Sequence, residues 1–151
     1  MNRFTTLLLA ATLCLIAPSS QADDLIMVRS PQDFPETMLA LQEAIKAEGY
    51  HIARVQRVDI GLTRRGFQTD KYRVVFFGRN EEIARLLKQQ PELAPYLPLK
   101  ISIFAEGEET LVVTMNPLLL SEFYPDSPAH EVFQRWALDV QRILTRIRTT
   151  Q

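Results

Sequence analysis

The sequence is poor in the residues that most often carry chemistry. Of its 151 residues one is cysteine and two are histidine. Cys14 lies in an apolar N-terminal stretch, so the rest of the chain has no thiol. That excludes disulfide staples, a cysteine nucleophile and covalent haem on a Cys-x-x-Cys-His run. His51 and His130 stand alone, without a His-x-x-x-His spacing, so neither a metal nor a cofactor is expected. The five glycines are too scattered to cradle a phosphate. No Gly-x-Ser-x-Gly elbow occurs, and Ser121 and Ser127 sit in turn-like sequence. Glu106, Glu108 and Glu109 are close together, but at an expected hairpin tip where nothing shuts out water for paired acid–base work. An excess of one charge is also missing: 17 basic against 18 acidic residues, net −1. Nucleic-acid binding calls for a strongly basic domain and is not expected.

What is present begins at the N-terminus. Met1-Asn2-Arg3 carries one positive charge, Phe4 to Ala17 is apolar apart from threonines and Cys14, and Pro18-Ser19-Ser20-Gln21-Ala22 follows. A basic start, a short hydrophobic middle and a small-x-small exit define a secretory signal peptide over residues 1–22, cut after Ala22. The apolar run is short of the roughly 20 residues that a membrane span needs. Ala11-Thr12-Leu13 is a poor lead-in to a lipidated cysteine. Removing 22 of 151 residues leaves 129, with 16 basic and 18 acidic residues because Arg3 departs. That length suits one domain over residues 23–151 with a core large enough to need no staple. No later apolar run approaches a membrane span, so a periplasmic or secreted protein is expected.

Nine prolines punctuate an alternation of strands and helices. Leu25 to Arg29 reads as a strand. Asp33 and Glu36 have capping-box spacing, Pro35 suits a first turn, and Phe34, Met38, Leu41 and Ile45 make one helical face that Gly49 ends. His51 to Ile60 reads as a strand whose apolar phase slips, predicting a bulge near Arg54 to Gln56. Gly61 to Thr69 reads as a polar connection. Lys71 to Phe77 is a strand that ends apolar on both faces and belongs inside the sheet. Asn80-Glu81-Glu82 opens a shorter helix with Ile83, Leu86 and Leu87 buried. Leu99 to Glu106 alternates cleanly and turns through Gly107 into Thr110 to Met115, a hairpin. Ser127-Pro128 has the form of a last helix start, with Phe133, Trp136, Val140, Ile143, Leu144 and Ile147 as its stripe. The order β-α-β-β-(α)-β-β-α predicts an α+β fold: a five-stranded, mainly antiparallel sheet with helices on one face.

Several of these stretches carry a family resemblance. Tyr72-Arg73-Val74-Val75-Phe76-Phe77-Gly78-Arg79-Asn80, Ile83-Ala84 and Pro91-Glu92-Leu93-Ala94-Pro95-Tyr96-Leu97-Pro98-Leu99 resemble the core of the family known as domain of unknown function 302. So do Ile101-Ser102-Ile103-Phe104, the Glu-Gly turn, Val112-Val113-Thr114-Met115-Asn116-Pro117, and the earlier helix with Thr37 and Gly49-Tyr50. The resemblance covers Leu25 to Pro117. It implies a fold similar to the TATA-binding-protein class, with the Asn80–Gln90 helix as an insertion, and a capacity for homodimers. No reaction comes with it. Many members resembling this chain have cysteine after the leucine-proline pair, where this sequence has Leu99, so no thiol role carries over.

Three groups of residues remain as candidates. Between His51 and Arg79 seven basic residues face only Asp59 and Asp70. Arg57, Lys71 and Arg73 fall where they can converge on one face, and guanidinium forks hold carboxylate or phosphate well, so a small anionic ligand is one expected partner. The competing reading is the solvated outer face of a hairpin. Leu118, Leu119, Leu120 and Phe123 form an apolar stretch that serves either as core cover or as a dimer or lid contact. The expected function is a non-enzymatic small-ligand-binding or accessory module of the cell envelope, working as a homodimer or beside an envelope protein. The alternative is a hydrolase or other enzyme with an acid–base site scattered in sequence. The export reading has a direct check. Intact mass of the exported protein should correspond to a chain beginning at Asp23, and a start at any other residue rejects the assigned cut.

Overall fold

Strand alternation sets the plan of the molecule. We describe a computed structural model, which covers residues 24–149. The signal-peptide reading and its cut after Ala22 lie outside the described residues. In β4 (Leu99–Glu106) Leu99, Ile101 and Ile103 are buried while Lys100 is exposed. This is the period of two expected of a strand with one covered face. β5 (Glu109–Met115) returns antiparallel through a Gly107 turn whose φ of +65° suits glycine. β1 (Leu25–Ser30) pairs with β5, β3 (Tyr72–Gly78) with β4, and β2 (His51–Arg57) with β3. All pairs are antiparallel and the order is β1-β5-β4-β3-β2. Consecutive strands β1 and β2 are therefore the two edges, and α1 (Phe34–Ala47) carries the chain between them.

The inward residues of the sheet meet α1 and the last helix, α5 (His130–Thr149). Leu41 and Ile45 from α1, Phe133, Trp136, Ile143 and Ile147 from α5, and Val75, Phe77, Ile101 and Val112 from the strands are essentially inaccessible to water. Asp33 caps α1, its Oδ1 accepting from Glu36 N at 3.0 Å, and Pro35 stands in the first turn. At the other end Gly49 N donates to Lys46 O at 2.9 Å and Tyr50 N to Ile45 O at 3.3 Å, with Gly49 at φ +78°. That is a Schellman stop, and it delivers Tyr50 straight into the core.

Three local expectations are corrected. The chain leaves the sheet after Arg57, and Val58–Thr63 forms a short helix, α2, instead of continuing the strand to Ile60. Alternating apolar residues in so short a run fit either form, and the side chain of Asp59 is turned to meet Arg73. The register shift of β2 lies between Ile52 and Arg54, one residue earlier than its expected position. The last helix begins at His130 and not just after Ser127: its first i to i+4 bond runs from Phe133 N to Ala129 O at 3.0 Å, while the Ser127 hydroxyl accepts from Ala129 N at 3.1 Å and donates to Gln90 Oε1 at 2.6 Å in the turn before it. Two short elements had no sequence signal strong enough to assign them: a 3₁₀ helix at Pro91–Tyr96 and α4 at Leu119–Phe123. The shorter helix α3 spans Asn80–Gln89.

Candidate functional site

The interior polar cluster is built where three chain ends meet. Tyr50 leaves the C-terminus of α1, Arg79 follows β3, and Glu82 lies on the first turn of α3. Trp136, Asp139 and Arg142 come from successive turns of α5. The Tyr50 hydroxyl donates to Asp139 Oδ2, and Arg142 Nη2 donates to Asp139 Oδ1. Arg79 Nη2 is 3.7 Å and Arg135 Nε 4.0 Å from Asp139 Oδ2. Three guanidinium groups and a phenol thus surround one carboxylate. Glu82 accepts from Trp136 Nε1 at 2.9 Å and from Arg135 Nη2. Glu48 accepts from Arg142 Nε at 2.9 Å and Arg146 Nη2 at 3.0 Å. Arg79 also closes the end of α1, donating to Glu48 O at 2.9 Å and Gly49 O at 3.3 Å while its guanidinium stacks 4.4 Å from the Tyr50 ring centroid.

Burial of the Tyr50 ring, then its hydrogen bond to Asp139, pushes the phenol well above the ordinary tyrosine value of 10.0. Between Tyr50, Arg79, Glu82, Leu99 and Trp136 runs a seam of about 160 Å³, too narrow for a water molecule. Leu99, at the start of β4, is therefore a wall of this seam. Sequence reading missed Glu82 and Asp139, although a signal existed: each sits on the apolar stripe of its helix, Glu82 four residues before Leu86 and Asp139 three after Trp136. A charged residue on a buried stripe must have partners.

The expected basic group is only partly assembled. Arg57 and Arg73 are register partners on the helix-covered side of the sheet. Arg73 is engaged by Asp59, whose carboxyl it holds below the usual range, and its guanidinium lies 5.7 Å from the Phe34 ring centroid. Lys71 Nζ lies 5.9 Å from the same ring. Recesses of about 320, 400 and 390 Å³ share Asp70 and Lys71, and the first is lined also by Asp33, Glu108 and Glu109. Their charge is mixed and not uniformly basic. In the apolar stretch Leu120 is buried, Leu118 and Leu119 are partly buried, and Phe123 is 52% exposed. The Phe123 ring lies 6.2 Å from that of Tyr96. His51 is exposed at the start of β2, and His130 Nε2 sits 2.8 Å from Pro125 O. Among the described residues no three His, Asp or Glu side chains are grouped to hold a metal ion, and no helix is long and apolar enough to cross a membrane.

The face of the sheet opposite α1 and α5 has a different character. By register it carries Leu25, Met27 and Arg29 of β1, Leu111, Val113 and Met115 of β5, Lys100, Ser102 and Phe104 of β4, and Tyr72, Val74 and Phe76 of β3. Leu25 and Met27 are 55% and 54% exposed, and Val74, Phe76, Phe104 and Val113 are partly exposed.

An open antiparallel sheet with two long helices on one face defines a small α+β domain. The chain belongs to the family described as Domain of unknown function DUF302, which it matches over residues 26–148. A crystal structure of an uncharacterized conserved DUF302 protein from Bacillus stearothermophilus is similar in fold, with a TM-score of 0.75 at 22% identity, over 84% of this chain and 100% of that one. No curated protein matches the sequence.

The Tyr50–Asp139 bond gives the cluster an alkaline signature. A phenol with a raised folded-state value contributes stability in full below pH 10 and loses it as pH rises beyond. Denaturant midpoints of the protein should therefore fall steeply above pH 10, and those of Tyr50→Phe should fall less over the same range. Equal slopes would show that Tyr50 is not held as described.

Proposed function

We propose that this protein is a non-enzymatic accessory module of the cell envelope that works as a homodimer through the open face of its sheet. The observation that carries the reading is that face: an apolar surface on the side of the sheet away from α1 and α5, centred on Met27, Val113, Phe104 and Val74. Contiguous exposed apolar surface marks contact sites in water-facing proteins. Its size suits a second copy. Five strands at about 4.8 Å and roughly six residues each at about 3.3 Å make a face of about 24 by 20 Å. Two such faces together amount to about 960 Å² in projection, close to the roughly 1,000 Å² that a specific interface should clear.

The charges on the face favour self-association as well. Arg29 with Glu106 and Glu109 holds one corner, and Lys100 and Arg54 lie toward the opposite end. A two-fold axis in the plane of contact brings the acidic corner of one copy toward the basic end of the other, as an isologous interface requires. The signal-peptide pattern read in residues 1–22 is what favours an envelope location.

Sedimentation equilibrium checks this directly. The protein should be a dimer, and Met27→Glu with Val113→Glu should make it monomeric with an unchanged circular dichroism spectrum. A monomeric wild type, or a double variant that stays dimeric, overturns the reading.

A further inference from the structure

We propose that the exposed side of the Asp139 cluster is a phosphate-class oxyanion site formed by Arg79, Arg135 and Arg142. It lies on the flank of α5, apart from the open sheet face and from Arg57, Lys71 and Arg73. The argument starts from how the cluster is layered. The side chains of Asp139, Glu82 and Glu48 are only 4%, 9% and 10% exposed, whereas those of Arg79, Arg135 and Arg142 are 33%, 39% and 53% exposed. The carboxylates lie beneath and the guanidiniums face out, so the field felt from water is that of the arginines.

The three guanidiniums are also held in place. Each lies within 4.0 Å of Asp139, and Arg135 and Arg142 are each fixed by a second carboxylate, Glu82 and Glu48. Arg79 is fixed by two main-chain carbonyls. A guanidinium has five N–H donors. Arg79 directs two of them to Glu48 O and Gly49 O, and Arg142 two to Glu48 and Asp139. Arg135 Nη2 donates to Glu82, while its Nε is buried and faces Asp139 Oδ2 at 4.0 Å. Guanidinium forks fixed from below, with part of each group facing water, can take tetrahedral oxyanions with little loss of side-chain freedom. With Arg146 the group counts four arginines against Asp139, Glu82 and Glu48, a net of +1. A phosphate has three or more oxygens to offer three guanidiniums, whereas a carboxylate has two.

The probe is inorganic phosphate, titrated at constant ionic strength against chloride and followed by amide chemical shifts of the purified protein. Saturable shifts are expected at Gly49, Tyr50, Arg79 and from Asp139 to Arg142. Arg79→Gln with Arg142→Gln should weaken binding by about tenfold or more, the loss expected when charge-assisted hydrogen bonds are removed, while Arg57→Gln with Arg73→Gln should leave it unchanged. Absence of a saturable response, or shifts centred on Arg57, Lys71 and Arg73, overturns the proposal, and so does an Arg79/Arg142 variant that binds phosphate as well as wild type. If that variant does not fold, the wild-type shift map and Arg142→Lys, which keeps the charge but loses the fork, decide the question in the same terms. The dimer test concerns another surface, so either result can fail without the other.

Discussion

One buried carboxylate, Asp139, holds together parts of the chain that are far apart in sequence. It takes a phenolic hydrogen bond from Tyr50 and one from Arg142, and lies within 4.0 Å of Arg79 and Arg135. Burying a carboxylate is expensive unless its charge is matched and its oxygens are hydrogen-bonded. Here both conditions hold, but only when α1 has ended at Gly49, β3 has ended at Gly78 and α5 has the rotation that points Asp139 inward. The polar cluster therefore fixes how the last helix sits, and the apolar stripe of that helix supplies the driving force. With four partners around it, the carboxylate keeps its charge compensated when any single one is lost.

The two sides of the sheet divide the work. The inner side, with Val75, Phe77, Ile101 and Val112, forms a core without any cross-link, in a chain whose single cysteine lies in the N-terminal segment. A domain of this size manages that through area alone. The outer side contributes little to the monomer and leaves Leu25 and Met27 more than half exposed.

The regular elements were legible because their physics is local. The alternation of Leu99, Ile101 and Ile103, the Asp33 cap, the Gly49 stop and the stripe from Phe133 to Ile147 all appear in the structure where the residues place them. The five-stranded antiparallel sheet followed from these. Residues Val58 to Thr63 were not legible, because a six-residue run carries too few apolar positions to separate helix from strand. The cluster around Asp139 was hidden for another reason. Tyr50 and Asp139 are 89 positions apart, and Glu82 and Trp136 are 54 apart, so no spacing rule joins them. Only the presence of acids on buried helical stripes gave a hint. The basic group at Arg57, Lys71 and Arg73 was visible as composition, but the sequence could not show that Asp59 would engage Arg73.

The most direct test of this account is a double-mutant cycle between Tyr50→Phe and Asp139→Asn, read as unfolding free energy near neutral pH. If Asp139 organises the cluster through bonds such as the one to Tyr50, the two changes should couple by about 1 kcal/mol or more, as residues in one hydrogen-bonded network do. Additive effects, with a coupling near zero, would contradict it and leave the helix held by apolar packing alone.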